Sequence, residues 1–251
     1  MIAWQSHNSQ LFHTEHRLDA KLFHYFRDIE HEVLSNLHNH LTVKADADEL
    51  KVDDLMFDVQ EWFHKLEVLI SQESLIIIRN AFNQFLHDYS IDGIIFEPNS
   101  NLVTEAIDHL VSKVKTIPET LFDELRQTLD EGIRLQETRV ELSNRIAKFF
   151  DDTNDFRAKR IAATTSNTAV NLANKLAVEK SKLFKSKIWL TRRDERVRDL
   201  HISLDGDIIP IQNKFHLANG NALDFPGDPS ATQGESIINC RCTAIYSQEE
   251  V

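Results

Sequence analysis

Glycine and proline are scarce in this chain, with six and five among 251 residues. Four of the glycines (Gly206, Gly220, Gly227, Gly234) and three of the prolines (Pro210, Pro226, Pro229) fall after residue 200. Both residue types punctuate helices and mark turns. The first 187 residues are therefore short of breakpoints, while the last 64 are full of them. Cysteine is scarcer still. Cys240 and Cys242 stand two apart, where a disulfide between them would be strained, so nothing points to an oxidising compartment. Long apolar runs are missing: Leu75-Ile76-Ile77-Ile78 is a run of four, against the roughly 20 residues that span a bilayer. An N-terminus with early His, Gln and Glu does not read as a secretory signal. With neither leader nor anchor in view, the expectation is a protein of a cytoplasm, or of a particle assembled there, with no membrane partner. A Gly-rich phosphate loop, G-x-S-x-G and H-E-x-x-H are also lacking, which argues against an ordinary enzyme.

Positive charge is in short supply overall but is not evenly spread. The net charge is −12, made of −15 over residues 1–155, +9 over residues 156–198 and −6 over residues 199–251. An acidic protein with one basic segment can still meet an anion there. Lys175, Lys180, Lys182, Lys185, Lys187, Arg192 and Arg193 are the candidate contacts to double-stranded DNA. The competing reading is a basic helix neutralised by acidic helices of the same fold.

Periodicity organises what lies between the breakpoints. Leu18, Leu22, Phe26, Ile29, Val33 and Leu37 recur every three or four residues and form one helical stripe. Val52, Leu55, Val59, Phe63, Leu66 and Ile70 form a second, continued by Ile77 or Ile78, Ala81, Phe82, Phe85 and Tyr89. Asp92-Gly93 and Pro98-Asn99 interrupt the chain, and Val103, Ile107, Leu110 and Val114 then mark a short helix. Pro118 suits the start of the following helix, where its missing N–H costs little. That helix carries Leu121, Leu125 and Leu129 and ends near Gly132. Thr138 and Glu141 have capping-box spacing ahead of Leu142, Ile146 and Phe149. A separate long helix is expected from about Asp155 to Lys185, with Ile161, Ala169, Leu172, Leu176 and Leu183 inward. His13 and His16, three apart on one face, read as exposed polar residues. After a boundary near residues 185–188 the pattern changes. Asp194 to Leu200 reads as one or two helical turns. Ile208-Ile209-Pro210-Ile211 reads as an edge strand after an Asp205-Gly206 turn, and Thr243-Ala244-Ile245-Tyr246 as a closing strand. The fold class is thus mainly α: a long extended helical N-terminal region followed by a small α+β C-terminal module. We divide the chain into a helical arm over 1–115, a helical lead-in over 116–187 and the α+β module over 188–251.

The module gathers the residues that carry chemistry. Asp194, Arg198, His201, Asp205, Asn239, Cys240, Arg241 and Cys242 admit three readings. In the first they are structural: Arg196 or Arg198 pairs with Asp194 or Asp205, Asn239 caps a turn and Trp189 fills the core. In the second, Cys240, Cys242 and His201 hold zinc, with His216 or an aspartate as fourth ligand. In the third, His201 with Asp194 or Asp205 acts as a catalytic base, as in a nuclease, or Cys240 with His201 acts as a nucleophile. Zinc is the one cofactor these residues suggest.

The order of these residues carries a resemblance. Ile188-Trp189-Leu190-Thr191, Asp194-Glu195-Arg196-Val197-Arg198, His201, Leu204-Asp205-Gly206, Phe225-Pro226-Gly227-Asp228-Pro229 and Ile238-Asn239-Cys240-Arg241-Cys242 resemble the C-terminal signature of the phage Mu protein F-like minor head proteins. Upstream, Leu125, Leu129, Glu131 and Gly132 fit a lead-in helix of that family. Arg160-Ile161-Ala162-Ala163-Thr164-Thr165 is similar to its R-I-A-R-T-E segment, with Ala163 and Thr165 in place of the usual Arg and Glu. The resemblance covers residues 115–247. It implies a tailed-phage minor head protein, inside the capsid near the portal vertex and in the host cytoplasm during assembly. It also implies a role in head assembly and in genome packaging or ejection. Its partners would be the portal protein, a scaffold or major capsid protein, and packaged DNA. Two alternatives stand beside it: a toxin- or nuclease-type enzyme using His201 with Asp194 or Asp205, and a non-specific DNA-binding protein.

Overall fold

The first apolar stripe folds as its spacing predicts. Leu18, Leu22, Phe26, Ile29, Val33 and Leu37 lie along one face of helix α1 (Ile2–Val43), and all are buried. The computed structural model describes the backbone of residues 2–43 and 50–250, and the side chains of residues 9–40 and 50–250. His13 and His16 are exposed, as expected.

The second stripe begins later than expected. Val52–Asp54 is a short 3-10 turn, and helix α2 starts only at Val59 and runs to Asp88. Asp58 explains the start: its Oδ1 accepts the backbone N–H groups of Gln60 and Glu61 at 2.8 and 2.9 Å, so it caps the helix. Phe57 and Trp62 become core residues, while Phe63 is only half-buried. Helix α3 (Asn101–Val114) follows the predicted breaks, and α4 (Ile117–Arg134) takes Pro118 in its first turn. The helix ends at Arg134, close to Gly132 as expected, with Gly132 inside its last turn. A Cβ there would stand 2.7 Å from the side chains of Glu137 and Leu142, so glycine permits the close return of the chain.

The largest departure is α5. Instead of two helices, one helix of 43 residues runs from Arg139 to Ser181. Its N-terminus is the predicted capping box: Glu141 Oε2 accepts the Thr138 N–H at 2.7 Å, and Thr138 Oγ1 accepts that of Glu141 at 3.4 Å. No Gly or Pro interrupts residues 139–181, so the acidic stretch Asp151-Asp152 is simply a solvated turn. The helix stops four residues before the expected Lys185, with Lys182 at a φ of 56°. Leu183 is exposed, and Phe184 turns inward in its place.

Beyond α5 the chain forms the small α+β module. Strand β1 (Ser186–Leu190) is central in a three-stranded antiparallel sheet, flanked by β2 (Ile208–Pro210) and β5 (Thr243–Ser247). Pro210 sits on the edge strand, where its missing donor is harmless. A two-residue pair, β3 (Phe215–His216) with β4 (Ala222–Leu223), forms a second ladder. The turn read at Asp194 to Leu200 comes later, as α6 (Asp199–Ile202).

The described residues pack as two compact units. One comprises those of residues 1–18, 70–111 and 160–251, and the other those of 19–69 and 112–159. The second unit buries Phe26, Ile29, Val33, Trp62, Leu121, Leu125, Leu142, Ile146 and Phe150, and the Tyr25 hydroxyl donates to the Trp62 carbonyl at 2.8 Å. The first unit contains the module, together with the C-terminal half of α5. None of the described helices is long and apolar enough to cross a membrane.

Candidate functional site

Small hydrophobic modules need their loops tied, and this one uses the buried face of α5. Thr165, Ser166, Asn167, Thr168 and Asn171 are all buried. Asn171 is the hub. Its Nδ2 donates to the Cys242 carbonyl at 3.2 Å, and its Oδ1 accepts the Ala244 N–H at 3.1 Å and the Thr243 hydroxyl at 3.2 Å. Thr168 donates to the Gly227 carbonyl at 2.6 Å, and Thr164 Oγ1 accepts the Asn239 N–H at 3.0 Å. Gly227 has a φ of 80°, and a Cβ there would lie 3.0 Å from Asn167 and 3.1 Å from Thr168. The Phe225-Pro226-Gly227-Asp228-Pro229 loop therefore needs glycine for both its turn and its approach to α5. Asp228, buried, fixes that loop by accepting the N–H groups of Asp224 and Ser230, each at 2.9 Å.

Apart from Thr164 and Thr165, in the segment similar to R-I-A-R-T-E, none of these α5 residues stands out in the sequence. The available signal is the density of Thr, Ser and Asn in residues 164–174 of an unbroken helix. Such residues disfavour helix interiors unless their side chains are engaged elsewhere.

The carboxylates are held by arginines, but not the arginines expected. Asp194 takes a bidentate clamp from Arg241, with both N–O distances at 2.7 Å. That clamp holds Asp194 below the usual carboxylate range and raises Arg241. Asp205 accepts the Thr191 N–H at 2.8 Å, the Thr191 hydroxyl at 3.1 Å and Arg193 Nε at 2.8 Å. Burial works against its charge, but these donors bring it below the usual range. Arg198 instead donates to the Ile238 carbonyl, and the backbone N–H of Arg196, not its guanidinium, meets Asp194. Gly206, at a φ of 88°, closes the turn by donating its N–H to the Trp189 carbonyl at 2.8 Å. Asn239 adopts a φ of 54° ahead of the cysteines, in keeping with a turn role.

At the centre, Trp189 is fully buried among Leu204, Phe215, Leu217, Leu223, Ala231, Ile237, Cys240 and Cys242. His201, from α6, lies edge-on to Trp189 with ring centroids 5.4 Å apart. Its Nδ1 points at two sulfurs, Cys242 Sγ at 3.6 Å and Cys240 Sγ at 3.9 Å. The Cys240 thiol is drawn well below its ordinary range by a hydrogen bond from Cys242 and by His201. Cys242 is pushed up by the same bond and by burial. Among the described residues, His201, Cys240 and Cys242 form the one group of His, Cys, Asp or Glu side chains able to hold a metal ion. His216, the expected fourth member, is exposed, and neither Asp194 nor Asp205 joins the group. The base arrangement of His201 with a carboxylate is therefore not assembled.

The candidate DNA contacts separate. Lys187 is buried: its amine donates to the Asp224 carbonyl at 2.8 Å and lies 5.5 Å from the centre of the Phe215 ring. Lys175 pairs with Glu179 and Asp224, each at 3.4 Å. Lys187 thus lies in the core, and Lys175, half-buried, is held between two carboxylates. Lys180 pairs with Glu97 at 2.9 Å, and Arg193 is held by Asp205. Arg192 is half-buried, whereas Lys182 and Lys185 are exposed.

Burial pushes the Lys187 amine down to about 8, against partial relief from Asp224. A lysine lowered in the folded state opposes folding while it must be charged, and that opposition fades as pH rises from about 8 toward the unfolded value near 10.4. The module should therefore gain stability across that window, and a Lys187→Met variant should lose that gain. Parallel pH profiles of the two proteins' denaturation midpoints would refute the assignment.

The comparisons with known proteins bear on the same residues. The family described as Phage Mu protein F like protein matches residues 119–245. A curated relative, Minor head protein GP7 of Bacillus phage SPP1, is 24% identical over 159 residues, covering 59% of this chain and 50% of that protein. The chain thus spans about half the length of that relative. No solved structure matches the chain at a significant level.

Proposed function

The chain belongs to the phage Mu protein F-like family, and from that premise we propose that it is a minor head protein of a tailed phage. It resides in the virion, on the inner side of the capsid near the portal vertex, and serves head assembly and the packaging or ejection of DNA. The observation that carries this reading is the family match across residues 119–245, which takes in α4 from its first turn, all of α5 and nearly all of the module. The name of the SPP1 relative supports the minor-head assignment. The pinned module supports a structural part: its arginines and carboxylates hold loops together, and His201 is buried. The arm over residues 1–115 is the portal-binding candidate, with a scaffold or major capsid protein as further partner.

Localised reconstruction of the head at its portal vertex tests the location. Density for this chain against the inner face of the portal is the expected result, and a position on the outer capsid surface would overturn it. DNA contact is narrower than the charge run implies and falls to exposed Lys182 and Lys185. Each neutralised phosphate contributes about −0.9 to the slope of log K against log salt. Replacing both lysines with Gln should flatten that slope by about 2. An affinity that ignores salt would remove DNA from the partners.

A further inference from the structure

A single imidazole nitrogen carries either one lone pair or one proton, so it can serve only one of two sulfurs as a hydrogen-bond partner. His201 Nδ1 nevertheless faces both Cys242 and Cys240, at 3.6 and 3.9 Å. The three side chains are each 2% exposed, and their ligand atoms lie within 4.8 Å of one another. The other ring nitrogen, Nε2, is buried without a hydrogen-bond partner. As a hydrogen-bonded set this gives Nδ1 a partner in only one of the two sulfurs it faces. As a ligand set it is well formed: tetrahedral zinc with bonds of about 2.3 Å to sulfur and 2.0–2.1 Å to nitrogen places S and N about 3.6 Å apart.

We propose that His201 Nδ1, Cys240 Sγ and Cys242 Sγ hold one zinc ion, with a water as fourth ligand. Two soft sulfurs and an imidazole favour zinc over the hard cations that prefer oxygen. The fourth position opens on a cavity of about 10 Å³ lined by Arg196, Arg198, Asn239 and Arg241, room for about one water. Both sulfurs bind as thiolates, any thiol proton passing to solvent as the metal enters, and the two thiolates balance its double charge. The ion ties α6 to the turn before β5, two segments some 40 residues apart in the chain. A disulfide between Cys240 and Cys242 is the competing state, disfavoured by their i,i+2 spacing. This inference stands on the geometry alone and is independent of the portal location.

The test uses the full chain, purified without chelator and kept reduced. Elemental analysis should find about one zinc per chain. Cobalt substitution should give the absorption of a tetrahedral thiolate-bound ion. His201→Ala and Cys240→Ser should each lose the metal, while His201→Cys, which restores a third soft ligand, should recover it. That recovery separates ligation from a packing role, and far-UV circular dichroism checks that the helices persist in each variant. Fewer than about 0.2 zinc per chain, with thiol reactivity unchanged when zinc is added, would overturn the proposal. So would a Cys240–Cys242 disulfide in the freshly purified protein.

Discussion

Trp189→Ala should speed amide exchange in β1 and β5 by about two to three and a half orders of magnitude. Trp189 is fully buried on the central strand of the module's larger sheet, edge-on to His201 and to Phe215 at 5.4 and 5.2 Å between ring centres. It is also the largest side chain in a core of nine buried residues, two of which are cysteines. Truncating a buried tryptophan to alanine removes its transfer energy and leaves a cavity, together about 3–5 kcal/mol. A tenfold change in an equilibrium corresponds to about 1.4 kcal/mol, hence the expected exchange factor. Exchange is the apt measurement because it reports opening of these two strands rather than an average over the chain. Trp189→Phe keeps an aromatic plane against His201 and should recover much of the loss. If Trp189→Ala changed opening by less than about 1 kcal/mol, the module would not depend on this core.

The helices were legible where one face is apolar and the opposite face is wet. The stripe from Leu18 to Leu37 satisfies that condition at every step, and so does the run Leu121, Leu125, Leu129. The capping box at Thr138 was legible because it is a local pattern with a local hydrogen bond. The continuity of α5 was not. Its second half is buried on several sides, through Ala162, Ala169, Val170, Ala173 and Ala177 as well as Asn167, Thr168 and Asn171. A helix buried nearly all round has no single stripe to read. The true start of α2 was hidden for a different reason. Val52, Leu55 and Val59 happen to keep helical spacing across a break that only the Asp58 cap reveals.

The site was legible as a set but not as pairs. Trp189, Asp194, Asp205, Gly206 and the cysteines do converge in the module. Yet Asp194 finds Arg241, some 47 residues away, rather than the neighbouring Arg196 or Arg198. Local spacing cannot anticipate a pairing made by the return of the chain through β5. The charge run misled for a related reason. A lysine's charge says nothing of its register, and in β1 the register turns Lys187 into the core beside Asp224.

Asn171 is the residue whose loss should uncouple the module from α5. It is fully buried and bonded to three consecutive residues, Cys242, Thr243 and Ala244. Asn171→Ala would leave the Ala244 N–H and the Cys242 carbonyl without that partner in a dry site. Each stranded group costs about 1–3 kcal/mol, so a total loss of about 2–6 kcal/mol is expected. Asn171→Asp separates hydrogen bonding from shape. A carboxylate keeps the acceptor for Ala244 and Thr243 but cannot donate to the Cys242 carbonyl, and it places a charge where burial disfavours one. Its folded pKa should therefore rise above the ordinary value near 3.9. A folded state that holds its proton more tightly than the unfolded chain loses stability as pH rises through that window. Asn171→Asp should thus approach the wild-type protein at acid pH, where the protonated acid can donate to Cys242, and fall behind it at neutral pH. Denaturation midpoints of the wild type and both variants between about pH 4 and pH 8 would decide the matter. If Asn171→Asp tracked the wild type at a constant offset, Asn171 would matter for its volume and not for its hydrogen bonds.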